Sequence, residues 1–280
     1  MIRVSKDLVV AQNGDVGRVV GGAGRSDDGE RETVLLTGAR GLFGRALTTR
    51  LTRDGWRVRP FDLVDGDDLR DPDAVRDAAV GCQAVVHAGA IPNDSRGTPA
   101  EILTTNIVGT WHVLRAAEHE RMRRVVMVSS VQVFGCSEGE RDADRLPIDD
   151  DHPRRASRPY GSSKRLAEDL CEEWSAQTGI ATVTLRPVDT FGKDRYRRVD
   201  PRDLEYGAFV HVDDVAAAAS RALVVPIEGH VALTLSATGT VDASRAREVL
   251  GWEPVHVRSR SRQLRSLLRT LNERLHPTRA

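Results

Sequence analysis

Tyr160 and Lys164, in the run Pro159-Tyr-Gly-Ser-Ser-Lys164, stand four residues apart. On a helix that spacing puts both on one face, where an ammonium can act on a phenol. A free tyrosine titrates near pH ~10, and a neighbouring cation favours its phenolate, which brings proton transfer near neutral pH within reach. Such a pair also arises by chance on a solvated helix, so a third group decides the reading. Ser130 supplies it. The apolar run 125–129 before it reads as a strand, and a hydroxyl at the carboxyl edge of a parallel strand projects into a ligand crevice.

A second constellation lies upstream. Val34, Leu35 and Leu36 form the apolar run of a strand buried on both faces, and Gly38, Gly41 and Gly44 follow at the spacing G-x-x-G-x-x-G. Gly38 permits a tight turn, Gly41 lets backbone amides approach a pyrophosphate, and Gly44 lets a helix beginning near Leu42 pack closely on the strand. The amides and dipole of that helix then face the phosphates. Asp62 ends a second strand, 57–61, where a carboxylate can accept both hydroxyls of an adenosine ribose. This pattern specifies a dinucleotide, and NAD over NADP, because a 2′-phosphate facing Asp62 would be repelled. Arg40 and Arg59 pull the other way.

From residue 33 onward, apolar strand-like runs alternate with helical patterns, the signature of an α/β fold: a Rossmann-type, doubly wound parallel sheet covered by helices on both faces. Strands are expected at 34–37, 57–61, 84–87, 124–129 and 181–185, and helices near 44–54, 73–79, 100–120 and 160–178. Residues 33–187 then form the nucleotide-binding unit with the catalytic groups, and 188–280 a small substrate-binding portion intertwined with it. A chain of 280 residues holds one such compact unit. Forty-one basic residues balance 41 acidic ones, which gives no general attraction to nucleic acid or membrane. No sustained apolar stretch marks a signal peptide or a membrane span. Residues 1–32 are expected to be a flexible extension, with Gly21, Gly22 and Gly24 a linker rather than a second phosphate loop. Cys82, Cys136 and Cys171 are odd in number and widely spaced, which argues against disulfides and zinc and for a cytoplasmic location.

The order of these motifs resembles the extended short-chain dehydrogenase/reductase family, the NAD-dependent epimerase/dehydratase group. The motifs are Thr37-Gly-Ala-Arg-Gly-Leu-Phe-Gly44, Asp62, Asp68-Leu69, His87-Ala-Gly-Ala90, Asn106, Ser129-Ser130, Tyr160-x-x-x-Lys164, Leu-Arg186-Pro187 and Phe-Val-His211-Val-Asp-Asp214, within about 33–254. The resemblance implies that Ser130 orients a substrate oxygen, Tyr160 exchanges its proton, Lys164 binds the nicotinamide ribose, and a hydride passes between a substrate carbon and NAD. It implies cofactor contacts from Gly38, Arg40, Gly41, Leu42, Phe43, Gly44, Asp62, Asp68 and Leu69. Further contacts are implied from His87, Ala88, Gly89, Asn106, Lys164 and Pro187. A small-molecule substrate and a homodimer pairing the helices near 100–120 and 160–178 are implied as well.

Departures from the family pattern narrow the chemistry. Dehydratases of the group place Asp-Glu after the catalytic hydroxyl residue, whereas Val131 and Gln132 stand here, so dehydration is not expected. Phe134 replaces a tyrosine and is expected to cost a hydrogen bond near the substrate. Only residues 193–208 replace the long insertion by which sugar-nucleotide enzymes grip a nucleotide, so the substrate is expected to be small, and the layout looks like uronate dehydrogenases and related small-sugar oxidoreductases. By that likeness Arg197, following Tyr196, would receive a substrate carboxylate, with Asn93, Gln132 and Asp189 also at the substrate. Asp189 would repel an acid, and residues 193–198 read equally well as a solvated basic loop. Two other functions stay open: an epimerase with tightly held NAD, and a non-catalytic NAD-binding sensor. His87 and His211 lack a third ligand at suitable spacing, so no metal is expected. The run Asp149-Asp-Asp-His152 reads as a solvated connection. Leu264, Leu267, Leu268, Leu271 and Leu275 form a stripe suited to docking a helix.

Overall fold

The computed structural model describes residues 31–257, apart from residue 138. The expected extension, all but its last two residues, and the leucine stripe at 264–275 lie outside the described residues. The chain runs β1 (Thr33–Thr37), α1 (Leu42–Arg53), β2 (Arg57–Phe61), α2 (Pro72–Ala79), β3 (Ala84–His87), α3 (Pro99–Leu103), α4 (Gly109–His119), β4 (Arg124–Val128) and α5 (Pro159–Thr178). It continues with β5 (Ala181–Pro187), β6 (Asp189–Phe191), α6 (Lys193–Tyr196), β7 (Phe209–His211), α7 (Val212–Ala222), β8 (His230–Leu235) and α8 (Ser244–Leu250). A π-helical turn, Thr104–Val108, joins α3 to α4.

Six strands form one parallel sheet in the order β2-β1-β3-β4-β5-β8. Every residue of β1, β3, β4 and β5 is buried, which explains their near-continuous apolar runs. Alternate side chains feed two cores. Val34 and Leu36 join Leu47, Val86 and Trp252 on one face, and Leu35 joins Val85, Val113 and Trp174 on the other. β2 is an exposed edge that tolerates Pro60. Among the described residues no strand lies beyond it; residues 62–71 include five aspartates and turn at once through a 3-10 segment, Leu63–Asp65, and left-handed Gly66 into α2.

Sequence patterning missed β6, β7, β8 and α7. β8 belongs by position to the C-terminal portion, yet it completes the main sheet beside β5. The end of the described chain is clamped by Asp214, which is 1% exposed. Its carboxylate accepts the amides of Val255 and His256 and the His256 ring Nδ1, and its carbonyl accepts Trp252 Nε1. No helix among the described residues is long and apolar enough to cross a membrane.

The sheet order reverses between β1 and β3, so their carboxyl ends open a crevice. A buried polar chain fixes this point. Thr110 Oγ1 donates to the Asn106 carbonyl at 2.6 Å, so it can only accept from His87 Nε2 at 3.0 Å. His87 Nδ1 is then the acceptor for the Thr37 hydroxyl at 2.7 Å, and Thr37 Oγ1 accepts the Gly89 amide. His87 is therefore a neutral Nε2–H ring whose pKa burial, aided by Lys164, pushes down to about 3. The unfolded chain takes up a proton at this ring near its ordinary pKa of ~6.5, whereas the folded chain resists until about 3, so stability falls as pH drops through that window. Histidine ¹⁵N spectra at about pH 5.5 are expected to show His87 neutral with hydrogen on Nε2; an imidazolium at that pH would contradict the network.

Candidate active site

The turn after β1 is built for close approach. Gly38 has φ +69°, and a Cβ there would lie 2.6 Å from the Gly89 amide. A Cβ at Gly44 would strike the Gly38 carbonyl and the Ala39 backbone. Gly41 differs: a Cβ there would meet only the Gly38 carbonyl, at 3.3 Å. Gly41 is also the N-cap of α1, with no capping side chain and no acidic residue in the first turn. The positive end of the helix is thus open to an anion, which fits a dinucleotide pyrophosphate.

On one side of this turn lies a cavity of about 330 Å³ bounded by Gly38, Asp62, Asp68, Leu69 and Gly89. Asp62 serves the protein as well as any ligand: Oδ2 accepts the Arg40 amide at 2.8 Å and Oδ1 the Val64 amide at 3.0 Å. A carboxylate oxygen has two acceptor sites, so one remains on each for a ribose hydroxyl. Arg40 and Arg70 pair with Asp65 and Asp68 at 2.7 and 2.5 Å, so neither is held ready for a 2′-phosphate. Arg59 donates to the carbonyls of Ala78 and Val80, on the α2 side of the edge strand. These features fit NAD.

On the other side lies a larger crevice, about 650 Å³, to which α1 contributes Leu42 and Phe43, the end of β4 Ser129 and Ser130, α5 Tyr160, and the end of β5 Pro187. Asn93, Gln132 and Asp189 line it too. Ser130 caps a 3-10 turn, its Oγ accepting the Gln132 amide at 3.1 Å. The hydroxyl proton therefore has no intramolecular acceptor among the described residues and can be donated to a ligand. Tyr160 is in the first turn of α5, anchored by its amide to Asp94 Oδ1 at 2.7 Å. Lys164 lies one turn deeper, 4% exposed, with Nζ donating to the Val128 carbonyl at 2.9 Å. Burial lowers its pKa to about 8, against an upward pull from Glu168 and Cys171.

The expected site residues thus divide. Ser130, Tyr160, Leu42, Phe43 and Pro187 share the larger crevice with the substrate candidates Asn93, Gln132 and Asp189, whereas Gly38, Asp62, Asp68, Leu69 and Gly89 share the smaller one. His87, Ala88 and Asn106 stand behind these walls. Asn106 sits in the π-helical turn, holds both backbone groups of Ile91 and donates to Ser163 Oγ on α5, a role for the extra residue such turns carry at functional sites.

Three expectations need correction. Arg197 is exposed after the last turn of α6 and does not line the crevice, whereas Arg195 does. The single turn of α6 swings the two apart, and the Arg195 guanidinium packs 4.7 Å from the Phe191 ring centroid. Phe134 is 1% exposed beneath Arg186 and His152 rather than beside a substrate. The run 149–152 is solvated only in part: the Asp149 and Asp151 side chains are 38% and 89% exposed, whereas Asp150 Oδ1 accepts the Thr234 amide and His152 is 3% exposed. His211, Asp213 and His256 do come within 4.8 Å of one another, a grouping the sequence spacing hid. The two rings stack at 4.0 Å and 19°.

Comparison with known proteins agrees with this geometry. Residues 34–206 match the family model for the NAD dependent epimerase/dehydratase family. The chain is 31% identical over 209 residues to the uronate dehydrogenase of Pseudomonas syringae pv. tomato, covering 70% of this chain and 71% of that protein. The solved structure of glucuronic acid dehydrogenase from Chromohalobacter salexigens has a TM-score of 0.67 at 26% identity, covering 83% of this chain and 87% of that one. UDP-glucose 4-epimerase from Brucella ovis in complex with NAD has a TM-score of 0.69 at 20% identity over 81% and 94% of the two chains, a likeness of fold. With its glycine turn, acidic strand end and Tyr160–Lys164 helix in register, the chain belongs to the NAD-dependent epimerase/dehydratase family.

Proposed function

We propose that this NAD-dependent oxidoreductase is a dehydrogenase that oxidises a hydroxyl of a small sugar acid. The observation that carries the reading is the convergence of Ser130 and Tyr160 on one crevice with Lys164 buried behind them. Ser130 donates its proton to the substrate oxygen and fixes its place. Tyr160, held at the start of α5 by Asp94, takes the hydroxyl proton as general base. The Lys164 ammonium favours the phenolate form of Tyr160. NAD, when bound, accepts the hydride. The division of labour at Pro187, with nucleotide binding before it and substrate binding after it, belongs to the same proposal.

Substrate size and charge follow from the second half of the crevice. Residues 193–208 form only α6 and two short 3-10 turns, which leaves no arm to grip a nucleotide and supports a sugar without one. Arg195 pairs with no carboxylate among the described residues and lines the crevice, which supports a carboxylate on the substrate. Asp189 and Asp203 share that wall and place the acid group away from themselves. All three cysteines are free and buried, which suits a cytoplasmic enzyme.

A homodimer is part of the proposal. Val108, Trp111 and Leu166 are 41%, 41% and 38% exposed on the π turn, α4 and α5, an apolar surface that a second copy would cover. Sedimentation at micromolar concentration is expected to give a dimer, and a single-chain coefficient would refute it.

NAD reduction followed across a panel of sugar acids and neutral sugars tests the activity. Tyr160→Phe is expected to lose on the order of 10²–10⁴-fold in kcat with NAD affinity unchanged, and Arg195→Ala to raise KM for carboxylated substrates alone. Turnover surviving in Tyr160→Phe would contradict the assignment. An equal effect of Arg195→Ala on neutral sugars would remove the carboxylate.

A further inference from the structure

Glu168 has no exposed surface and takes no part in the chemistry above, yet it is among the most heavily engaged side chains in the protein. It follows Tyr160 and Lys164 at intervals of four on α5, so all three lie along one helical face. Its Oε1 accepts the Ser129 hydroxyl at 2.6 Å and Arg186 Nε at 3.0 Å. Its Oε2 accepts Arg186 Nη2 at 2.7 Å and Arg154 Nη1 at 3.3 Å. Ser129 is the residue before Ser130, and its own amide bonds to the Leu185 carbonyl. One carboxylate therefore joins the ends of β4 and β5 to α5, directly beneath the crevice.

We propose that Glu168 is a positioning residue that ties the strand end carrying Ser130 to the helix carrying Tyr160 and Lys164, and that its charge is the counter-ion of Lys164. The proposal rests on the dehydrogenase reading and deepens it. Among the described residues around Lys164, Glu168 is the carboxylate that favours its charge, placed one turn further along the same buried face of α5. From its own helix Lys164 is faced by Tyr160, Glu168 and Cys171, whose thiol burial pushes up to about 12 and so keeps neutral. From β3 it is faced by His87, neutral as argued above, and from β4 by the Val128 carbonyl. Glu168 in turn is faced by Arg186 on β5, by Arg154, which also bonds Asp169 at 2.8 Å, and by His230 on β8, whose pKa burial lowers to about 4. Asp150, whose carbonyl accepts Arg186 Nη1, closes the group.

The signs are fixed by this arrangement. Burial favours the neutral amine at Lys164, and Glu168 opposes it. Without the carboxylate charge, Lys164 loses its proton at lower pH, and with that proton goes the field that favours the Tyr160 phenolate. The alkaline limb of kcat that reports Lys164 then moves toward acid. A purely structural role would lower kcat at every pH and leave the limb in place.

The chain offers an unusually clear readout, because it contains three lysines, Lys6, Lys164 and Lys193. With lysine labelled at the ε carbon, Lys164 is assigned by its disappearance in Lys164→Met and titrated in the full chain without substrate. In Glu168→Gln its proton affinity is expected to fall roughly tenfold or more, a shift of about one pH unit, with the kcat limb moving alongside. Arg186 would be stranded in that variant, so Glu168→Gln/Arg186→Met, which leaves no unpaired charge there, is titrated as well and is expected to show the same direction. Ser129→Ala removes the tether alone, and a several-fold loss of kcat at an unchanged Lys164 midpoint is expected. A folded Glu168 variant with Lys164 titrating as in the wild type would overturn the counter-ion role, and full turnover in Ser129→Ala would overturn the tether. Failure of the dehydrogenase reading looks different: no sugar acid would be oxidised by the wild type, while the titration shift would persist.

Discussion

Arg186 and Glu168 meet two-pronged in the interior, with 5% and 0% of their side chains exposed, and the arrangement of the crevice hangs on that contact. Removing one partner of such a pair leaves an unpaired buried charge, at a cost of about 3–5 kcal/mol. The pair does more than hold β5 to α5. Arg186 reaches the Asp150 carbonyl and lies over the Phe134 ring, while Asp150 caps the amide of Thr234 in β8. Strands β4, β5 and β8, the helix with Tyr160 and the connection that precedes it are thereby referenced to one another by hydrogen bonds of fixed length. Apolar packing alone would hold them together with less directional precision.

The interior uses its cations selectively. Arg186 and Arg124 are buried guanidiniums, and arginine cannot give up its proton at any accessible pH. Among the described residues Lys164 is the buried amine, and its pKa of about 8 puts its charge within reach of physiological conditions. In the proposed reaction this cation tunes a neighbouring phenol, a task suited to a group whose charge responds to its surroundings. The neutral His87 ring keeps a second positive charge away from Lys164 while still bracing the turn between β1 and β3.

Much of this was legible in the chain, for physical reasons that also explain the failures. The nucleotide half is written in local code: buried parallel strands need unbroken apolar runs, and the glycine turn needs residues without a Cβ. β2 and β3 accordingly fall at the residues the pattern named. β8 escaped because His230, Thr234 and a half-buried Ala232 dilute its apolar signal, and its place beside β5 is a long-range choice. Arg195 was hidden among neighbouring arginines, where only the one-turn geometry of α6 separates the inward residue from Arg197. Glu168 carries no mark in the sequence, since nothing local reveals that Arg186 and Ser129 will surround it. Asp150 and His152 misled for the opposite reason, their polarity suggesting solvent where the fold supplies partners for Asp150 and a ring edge for His152.

The central claim is net oxidation with an exchangeable nicotinamide, and its most direct test is the nucleotide content of freshly purified protein after denaturation. A dehydrogenase must discharge its reduced cofactor at each turnover, so the protein is expected to release little nucleotide, to bind added NAD reversibly and to discriminate against NADP. Near-equimolar NAD retained through purification would contradict the account, because it would mark an internal redox cycle in which the hydride returns to the same substrate.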